Sequence, residues 1–400
     1  MSAQPSIILH EIESLIVSEY RERAELEKVR AQWSKLLGQT PGLSIFVTPE
    51  WMLSWWYAFG RNQECCVLVM TDPQVGVVGI IPLYWERQTL PLLPALRVLR
   101  LIGDGSGDSD DLDFIVKPGY AAAVVEAFFN WLSSKPWSVC EFNCLASKSE
   151  AVKLLMNKLQ SLRLKSVASQ RPLARIALPD TWAEYLRELS AKERHKIGIR
   201  LRRLESRHNV CFQRCERREE LPDFLNSLYA LHQKRWQAKG EPGTFSSETR
   251  RQFYEEMTRS LLNLGCLDLW QLELDGVPVA AQIGMRYGDC FCALQEGFDP
   301  DRAADSVGYV LRSHILKHCI ASGVRNYDFL YGDQESKQRW GADIGHYIDL
   351  RFCRPLSYGA LYISCDRRWR AAKNWLRART SASVWKKLQR LRHGAQHPRP

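Results

Sequence analysis

The segment from Glu296 to Trp340, EGFDPDRAADSVGYVLRSHILKHCIASGVRNYDFLYGDQESKQRW, decides the fold. Glu296-Gly297-Phe298-Asp299-Pro300 ends a strand that begins at Cys290, and a polar loop follows. Ser306-Val307-Gly308 then opens a helix with apolar Val310, Leu311, Ile315 and Cys319 along it. Gly323 closes that helix as a C-cap, and Tyr327-Asp328-Phe329 alternates as a strand. A helix start presents free backbone N–H groups and the positive end of a dipole, which suits a pyrophosphate; Ser306 reads equally as a plain N-cap. The loop after a parallel strand is where α/β proteins bind ligands. Here it is Tyr331-Gly332-Asp333-Gln334-Glu335-Ser336-Lys337-Gln338-Arg339-Trp340, either a ligand loop or a solvated connection anchored by Trp340.

Upstream, the same order of elements occurs twice. Cys65–Met70 and Val75–Trp85 form a hairpin, followed by strand Leu96–Ile102, an acidic loop, strand Leu112–Val116, helix Tyr120–Ser133, strand Ser138–Asn143 and helix Glu150–Leu162. Leu267–Leu274 and Val277–Arg286, joined by Asp275-Gly276, form the second hairpin, followed by Cys290–Glu296 and the segment above, with a closing strand His346–Phe352. Before the first hairpin come a strand Ser6–His10 and helices Tyr20–Leu37 and Pro49–Phe59. A basic helical stretch Ala183–Arg207 and helices Glu219–Ala238 and Ser247–Leu264 precede the second. No sequence identity supports a repeat; the shared order predicts two related α/β units, residues 1–170 and 171–357, with a basic helical tail over 358–400.

These residues resemble the acyltransferase domain of the GNAT superfamily. The likeness is closer to its CelD/BcsL-type branch, linked to cellulose and other exopolysaccharide biosynthesis and related to the FemABX peptidyltransferases. It rests on Glu296 to Pro300, Ser306 and Gly308 before a helix, Tyr327 to Phe329, Gly332-Asp333, Lys337 and Trp340. Leu189 to Lys192 and Leu231-His232-Gln233-Lys234-Arg235-Trp236 agree, as do Phe46, Pro49, Trp51, Trp55 and Asp110 to Phe114. The resemblance implies tandem GNAT-like domains, mixed central sheets flanked by helices, of which the second binds acyl-CoA, acetyl-CoA foremost. It also implies direct transfer to an amine or hydroxyl of a sugar, glycan precursor or small amine. Carried over, Arg302, Ser306, Val307 and Gly308 hold the pyrophosphate, Glu296 or Asp328 is the base, and Tyr331 protonates the leaving thiolate. His232, Arg235, Trp236, Asp110, Asp111, Gly332, Asp333, Lys337 and Trp340 bind the acceptor. Two departures stand out. Asp305 and Val307 occupy phosphate-loop positions where glycine or alanine is expected, and Ser336 replaces an aromatic residue before Lys337.

Other features bound the alternatives. Loop Gly103–Asp111 has neither the glycine nor the glutamate of a calcium loop and lacks the third glycine of a dinucleotide loop. It is either a seat for a cationic or polyhydroxylated acceptor or a solvated turn. Lys192, Arg194, Lys196, Arg200, Arg202, Arg203 and Arg207 form either a solvated face or a seat for an RNA, lipid-phosphate or sugar-nucleotide partner, and the FemABX resemblance keeps aminoacyl-tRNA as an alternative; nucleic acid is expected only there. A non-catalytic scaffold is the remaining reading. The twelve cysteines show no C-x-x-C pair, so no metal site is expected.

The net charge of +10 is local. Eleven of the 55 Lys and Arg residues but one of the 45 acids fall in 366–400, leaving the body neutral by count. In the tail Leu361, Cys365, Trp369, Ala372 and Leu376 make an apolar stripe, and Val384, Leu388 and Leu391 a second. Such basic amphipathic helices either dock on the domain or touch an anionic membrane surface. The longest uncharged apolar run, Val75 to Trp85, is well short of the roughly 18 residues a membrane span needs. No basic segment with an apolar stretch opens the chain, so a cytoplasmic, at most peripheral, protein is expected.

Overall fold

The computed structural model describes residues 15–90, 93–332 and 335–379. The expected strand Ser6–His10 and the stripe Val384–Leu391 lie outside these residues. The first half runs β1 (Ile16–Tyr20), α1 (Arg23–Gly38), α2 (Pro49–Phe59), β2 (Glu64–Asp72), β3 (Gly76–Leu90), β4 (Leu93–Leu101), β5 (Ile115–Val116), α3 (Ala121–Ser133), β6 (Val139–Leu145), α4 (Glu150–Ser161) and β7 (Lys165–Ala177). The second half runs α5 (Trp182–Glu188), α6 (Ala191–Glu205), β8 (Val210–Arg214), α7 (Leu221–Gln237), α8 (Glu248–Asn263), β9 (Leu267–Leu274), β10 (Val277–Tyr287), β11 (Cys290–Phe298), α9 (Val307–Ala321), β12 (Asn326–Tyr331), α10 (Glu335–Gln338) and β13 (Asp343–Cys353). Helix α11 (Tyr358–Arg379) follows.

Local chemistry explains most boundaries. Pro49 at the first position of α2 follows Thr48, whose hydroxyl accepts from the Trp51 N–H at 3.4 Å. The β9–β10 turn uses Asp275 and Gly276, both at positive φ (55° and 81°), the geometry that matches the twist of paired strands. Two expectations are corrected. The stretch Ala183–Arg207 is two helices, because Ser190 caps α6 by accepting from the Glu193 N–H at 3.3 Å and so interrupts the run. Strand Leu112–Val116 shortens to β5, because Leu112 is drawn to β6 through bonds to the Cys144 carbonyl and the Ala146 N–H.

The strands form one mixed sheet in the order β1-β2-β3-β4-β6-β13-β7-β12-β11-β10-β9-β8, with β5 beside β3. The two halves repeat one plan, hairpin, third strand, crossover helix and parallel fourth strand, and thus build the expected tandem α/β architecture. The fifth strands are exchanged. β7 lies against β12 of the second half, β13 lies against β6 of the first, and the two pair antiparallel from Asp343 opposite Arg175 to Cys353 opposite Lys165. The 170/171 division therefore falls within β7.

Helices cover both faces of the second half. Residues of α7 and α8 join the core of the first half, where Trp51 and Phe59 of α2 pack on Phe253 of α8 at ring-centroid distances of 5.2 and 5.5 Å. A second core lies between the opposite face and α5, α6 and α9. Helix α11 docks through buried Ala360 and Ile363, through Lys165 Nζ to the Ala360 carbonyl, and through an Arg351–Asp366 ion pair.

Gly297 sets the distance between β11 and α7, since a Cβ there would lie 2.4 Å from the His232 backbone nitrogen. Gly297→Ala is expected to lower unfolding free energy by about 2 kcal/mol, measured by urea denaturation.

Candidate active site

Parallel strands β11 and β12 pair at Cys290–Asn326, Phe291–Tyr327 and Cys292–Asp328 and then separate, β11 running on to the turn that precedes α9. The opening is spanned by charge. Glu296 of β11 accepts from Arg235 of α7 at 2.9 Å and pairs with Arg312 of α9, so guanidiniums from helices on the two faces grip one carboxylate. Burial raises the Glu296 pKa, but Arg312 and Arg235 outweigh it and hold the group below the usual carboxylate range. Tyr327 takes part through its hydroxyl, which accepts from Gln282 at 2.9 Å.

The start of α9 lies beyond this opening. Ser306 adopts a left-handed conformation (φ 56°, ψ 38°) and makes no side-chain cap, while its carbonyl takes the N–H groups of Tyr309 and Val310. Val307 is buried, and a Cβ on Gly308 would come 3.1 Å from the Phe298 ring. Asp305 pairs with Arg302 at 3.7 Å, which offsets the acid in the expected phosphate loop. Basic α6 packs beside this turn: Arg200 lies over the Tyr309 ring at 4.2 Å, and the Tyr309 hydroxyl donates to Glu193 at 3.2 Å. Arg302, Ser306, Val307 and Gly308 thus share one corner, with Arg200 added to it.

Asp328 occupies the apex where the strands part. It is buried and accepts from Arg175 Nε at 2.9 Å and from the Leu330 N–H at 2.7 Å. Asp111, at φ 51°, shares the same guanidinium at 3.8 Å. Burial, with Arg175 opposing and Asp328 and Asp110 assisting, lifts its carboxyl to about 6. Burial likewise lifts Asp113 to about 7 despite donation from Ser149 and the Phe114 N–H.

The expected acceptor residues disperse. Asp110 is turned inward and accepts from the Tyr331 N–H at 3.0 Å, tying the two halves together. The rest of its loop is also interior. Asp108 meets Arg250 at 3.0 Å and the Tyr254 hydroxyl at 3.2 Å, and Ser109 and Ser106 accept from the Trp51 and Trp55 indoles. The loop is not a solvated turn: Ser106, Asp108 and Ser109 have partners from α2 and α8 and Asp104 from Asn143 of β6, whereas Asp111 lines an open cleft. His232 is buried against Phe245, and burial followed by Arg235 lowers it to about 4, so it is neutral at physiological pH. Trp236 is half-buried beside it.

At the end of β12, Lys337 donates to the carbonyls of Phe329, Leu330 and Tyr331 at 3.0, 3.3 and 2.6 Å. Trp340 is buried with its ring 4.3 Å from Tyr309, and Gly332 is held by the Pro172 carbonyl. Tyr331 is 55% exposed, and its ring lies under Arg171. Asp333 lies outside the described residues.

Arg175, Arg312 and Tyr347 escaped the sequence reading. Arg312 stands one turn beyond Gly308, and this spacing was the available signal. Arg175 and Tyr347 carried none, since they enter through the exchanged strands. Among the described residues, no group of three or more His, Cys, Asp or Glu side chains is arranged to hold a metal ion, and no helix is long and apolar enough to cross a membrane.

Residues 191–338, from α6 to α10, match the family described as acetyltransferase (GNAT) domain. No curated protein matches the chain. Among solved structures it is similar to FemX, at a TM-score of 0.58 and 12% identity over 81% of this chain and 95% of that one. A conserved protein of unknown function from Bacteroides thetaiotaomicron VPI-5482 scores 0.55 at 10% identity, over 85% and 100% of the two chains. The C-terminal domain of a putative lysylphosphatidylglycerol synthetase from Agrobacterium fabrum scores 0.51 at 11% identity, over 85% and 96%. At such identities the likeness is one of fold.

Glu296→Gln leaves two arginines facing a neutral amide and is expected to cost about 2 kcal/mol at pH 7. Because the folded pKa lies below the ordinary 4.5, the carboxylate's contribution is present above that pH and lost as pH falls through the folded value. The gap between parent and variant in urea titrations should therefore narrow below pH 4.5.

Proposed function

We propose that the protein is an acyltransferase that takes an acyl group from acyl-CoA, acetyl-CoA foremost, and passes it directly to nitrogen or oxygen of a sugar, glycan precursor or small amine. The observation that carries this reading is the parting of β11 and β12 beside the start of α9, within the segment that matches an acetyltransferase domain. The phosphate end of the donor suits the first-turn N–H groups of α9 with Arg302 and Arg200, and Gly308 leaves room for it. The CelD/BcsL-type resemblance supports a role in exopolysaccharide or cellulose synthesis at the inner face of the membrane, with the 366–400 segment as a peripheral contact.

In the transfer, the acceptor atom bonds to the acyl carbon as the thioester C–S bond breaks. The acceptor's proton passes to a carboxylate, and the thiolate leaves with a proton from Tyr331 or water. Asp328, at the apex, is the better-placed base. Glu296 instead holds Arg235 and Arg312 across the opening.

Aminoacyl transfer from tRNA is the second reading. Its supports are the basic α6 beside the same helix start and the fold shared with FemX.

Calorimetric titration decides between them. Acetyl-CoA and CoA should both bind, and Gly308→Asp should abolish binding. Asp328→Asn should spare binding and lower kcat about 100-fold or more. No heat with acetyl-CoA, longer acyl-CoA or CoA would leave only the tRNA and scaffold readings.

A further inference from the structure

Helix α11 docks by a narrow side. Ala360 and Ile363 are 7% and 0% exposed, a Cβ on Gly359 would overlap the Ser138 carbonyl, and Lys165 Nζ donates to the Ala360 carbonyl at 3.0 Å and the Ser364 hydroxyl at 2.6 Å. Asp366, the one acid of the helix, pairs with Arg351 at 2.5 Å. These contacts fix the rotation of the helix about its axis. They turn Leu361, Cys365 and Ala372, three members of the apolar stripe read from the sequence, to the outside rather than onto the sheet.

The exposed side is continuous. Leu361, Cys365, Arg368, Ala372, Trp375 and Arg379 are all exposed, and their spacing alternates between four residues and three, which keeps them on one face. Leu361 and Trp375 are 56% and 57% exposed, and Leu356, at the turn that leads into the helix, is fully exposed with φ 54°. Large apolar side chains gathered on one face mark a contact surface, whereas single ones are ordinary. The charge on this face has one sign. Arg354 before the turn and Arg367, Arg368 and Arg379 along the helix are exposed, and α11 holds six Lys and Arg residues against Asp366.

We infer that this face of α11, with Leu356 at its head, is a docking surface for a bilayer that bears anionic lipid headgroups. The helix lies in the plane of the interface. Leu356, Leu361 and Trp375 enter the boundary between headgroups and acyl chains, and the arginines meet the phosphates, Arg368 and Arg379 reaching out of the stripe on their long stems. Trp375 suits that depth because its ring is apolar and its indole N–H polar, and the Arg379 guanidinium lies 4.0 Å from the ring centre. Alternation of four and three also fits a two-helix seam with a second copy. Charge decides against that occupant, since the surplus of bases on each helix repels its twin and is neutralised by anionic lipid. The inference rests on the peripheral contact of the transferase reading and gives it a defined face and a lipid chemistry.

The test is cosedimentation of the full chain with vesicles, without donor or acceptor, so its failure leaves the CoA titrations untouched. Vesicles of phosphatidylcholine and phosphatidylglycerol in equal parts should bind the protein about tenfold more tightly, or better, than phosphatidylcholine alone. The triple variant Leu356→Asn, Leu361→Gln and Trp375→Gln keeps every charge, alters exposed positions only, and should bind the mixed vesicles about tenfold more weakly. Arg368→Gln with Arg379→Gln should weaken binding about tenfold as well. The inference is overturned if the mixed vesicles do not bind or if phosphatidylcholine alone binds equally. It is also overturned if the triple variant, folded by circular dichroism, keeps the parent affinity, as contact by charge alone with a nucleic acid would allow, or if sedimentation equilibrium shows a dimer that this variant dissolves.

Discussion

The exchange of β7 and β13 is the constraint on which the rest of the molecule depends. Neither half completes its own sheet. The strand that would close the first half is paired with β12, and the strand that would close the second is paired with β6. Their mutual pairing turns two four-stranded plans into one continuous sheet and leaves no open edge at the centre, where an unpaired strand would invite association. The exchange also delivers side chains across the boundary. Arg175 reaches Asp328, and Asp349 receives both Arg171 and the Cys144 N–H.

The two halves treat the same topological opening in opposite ways. In the first half β4 and β6 pair at Val98–Val139 and Leu99–Cys140 and then part. The gap is filled by Arg100, which meets Glu86 at 2.5 Å, Glu141 at 3.3 Å and Asp104 at 3.7 Å. In the second half one glutamate lies between two arginines. The first opening thus carries a surplus of acid and the second, beside a helix start and basic α6, a surplus of base. The difference between two similar folds is electrostatic. Such internal ion pairs cost desolvation, and they stand because every charge has its counter-charge close by.

Much of this was legible in the chain. Hairpin turns with Asp-Gly, capped helices and alternating strands are local, and β9, β10, α2 and α9 lie within a residue or so of where their patterns put them. The corner formed by Arg302 to Gly308 was legible for the same reason, since these residues are contiguous. Two features were not. The acidic loop read as either an acceptor seat or a solvated turn because its acids have no partner nearby in sequence, yet Trp51, Trp55, Arg250 and Tyr254 reach Ser109, Ser106 and Asp108 from helices far away in sequence. Glu296 looked like a free base because Arg235 and Arg312 precede and follow it by many residues.

By itself, the sequence determined the element order, the repeat of that order, the neutral body with its basic end, and the strand–turn–helix corner from Glu296 to Gly308. These follow from periodicity, capping and turn chemistry, which act over a few residues. Tertiary structure alone decided which half owns each closing strand, which carboxylates stay exposed to a cavity and which are neutralised. Those outcomes depend on pairings between residues more than a hundred positions apart, such as Arg175 with Asp328 and Asp110 with Tyr331, and no local pattern encodes them.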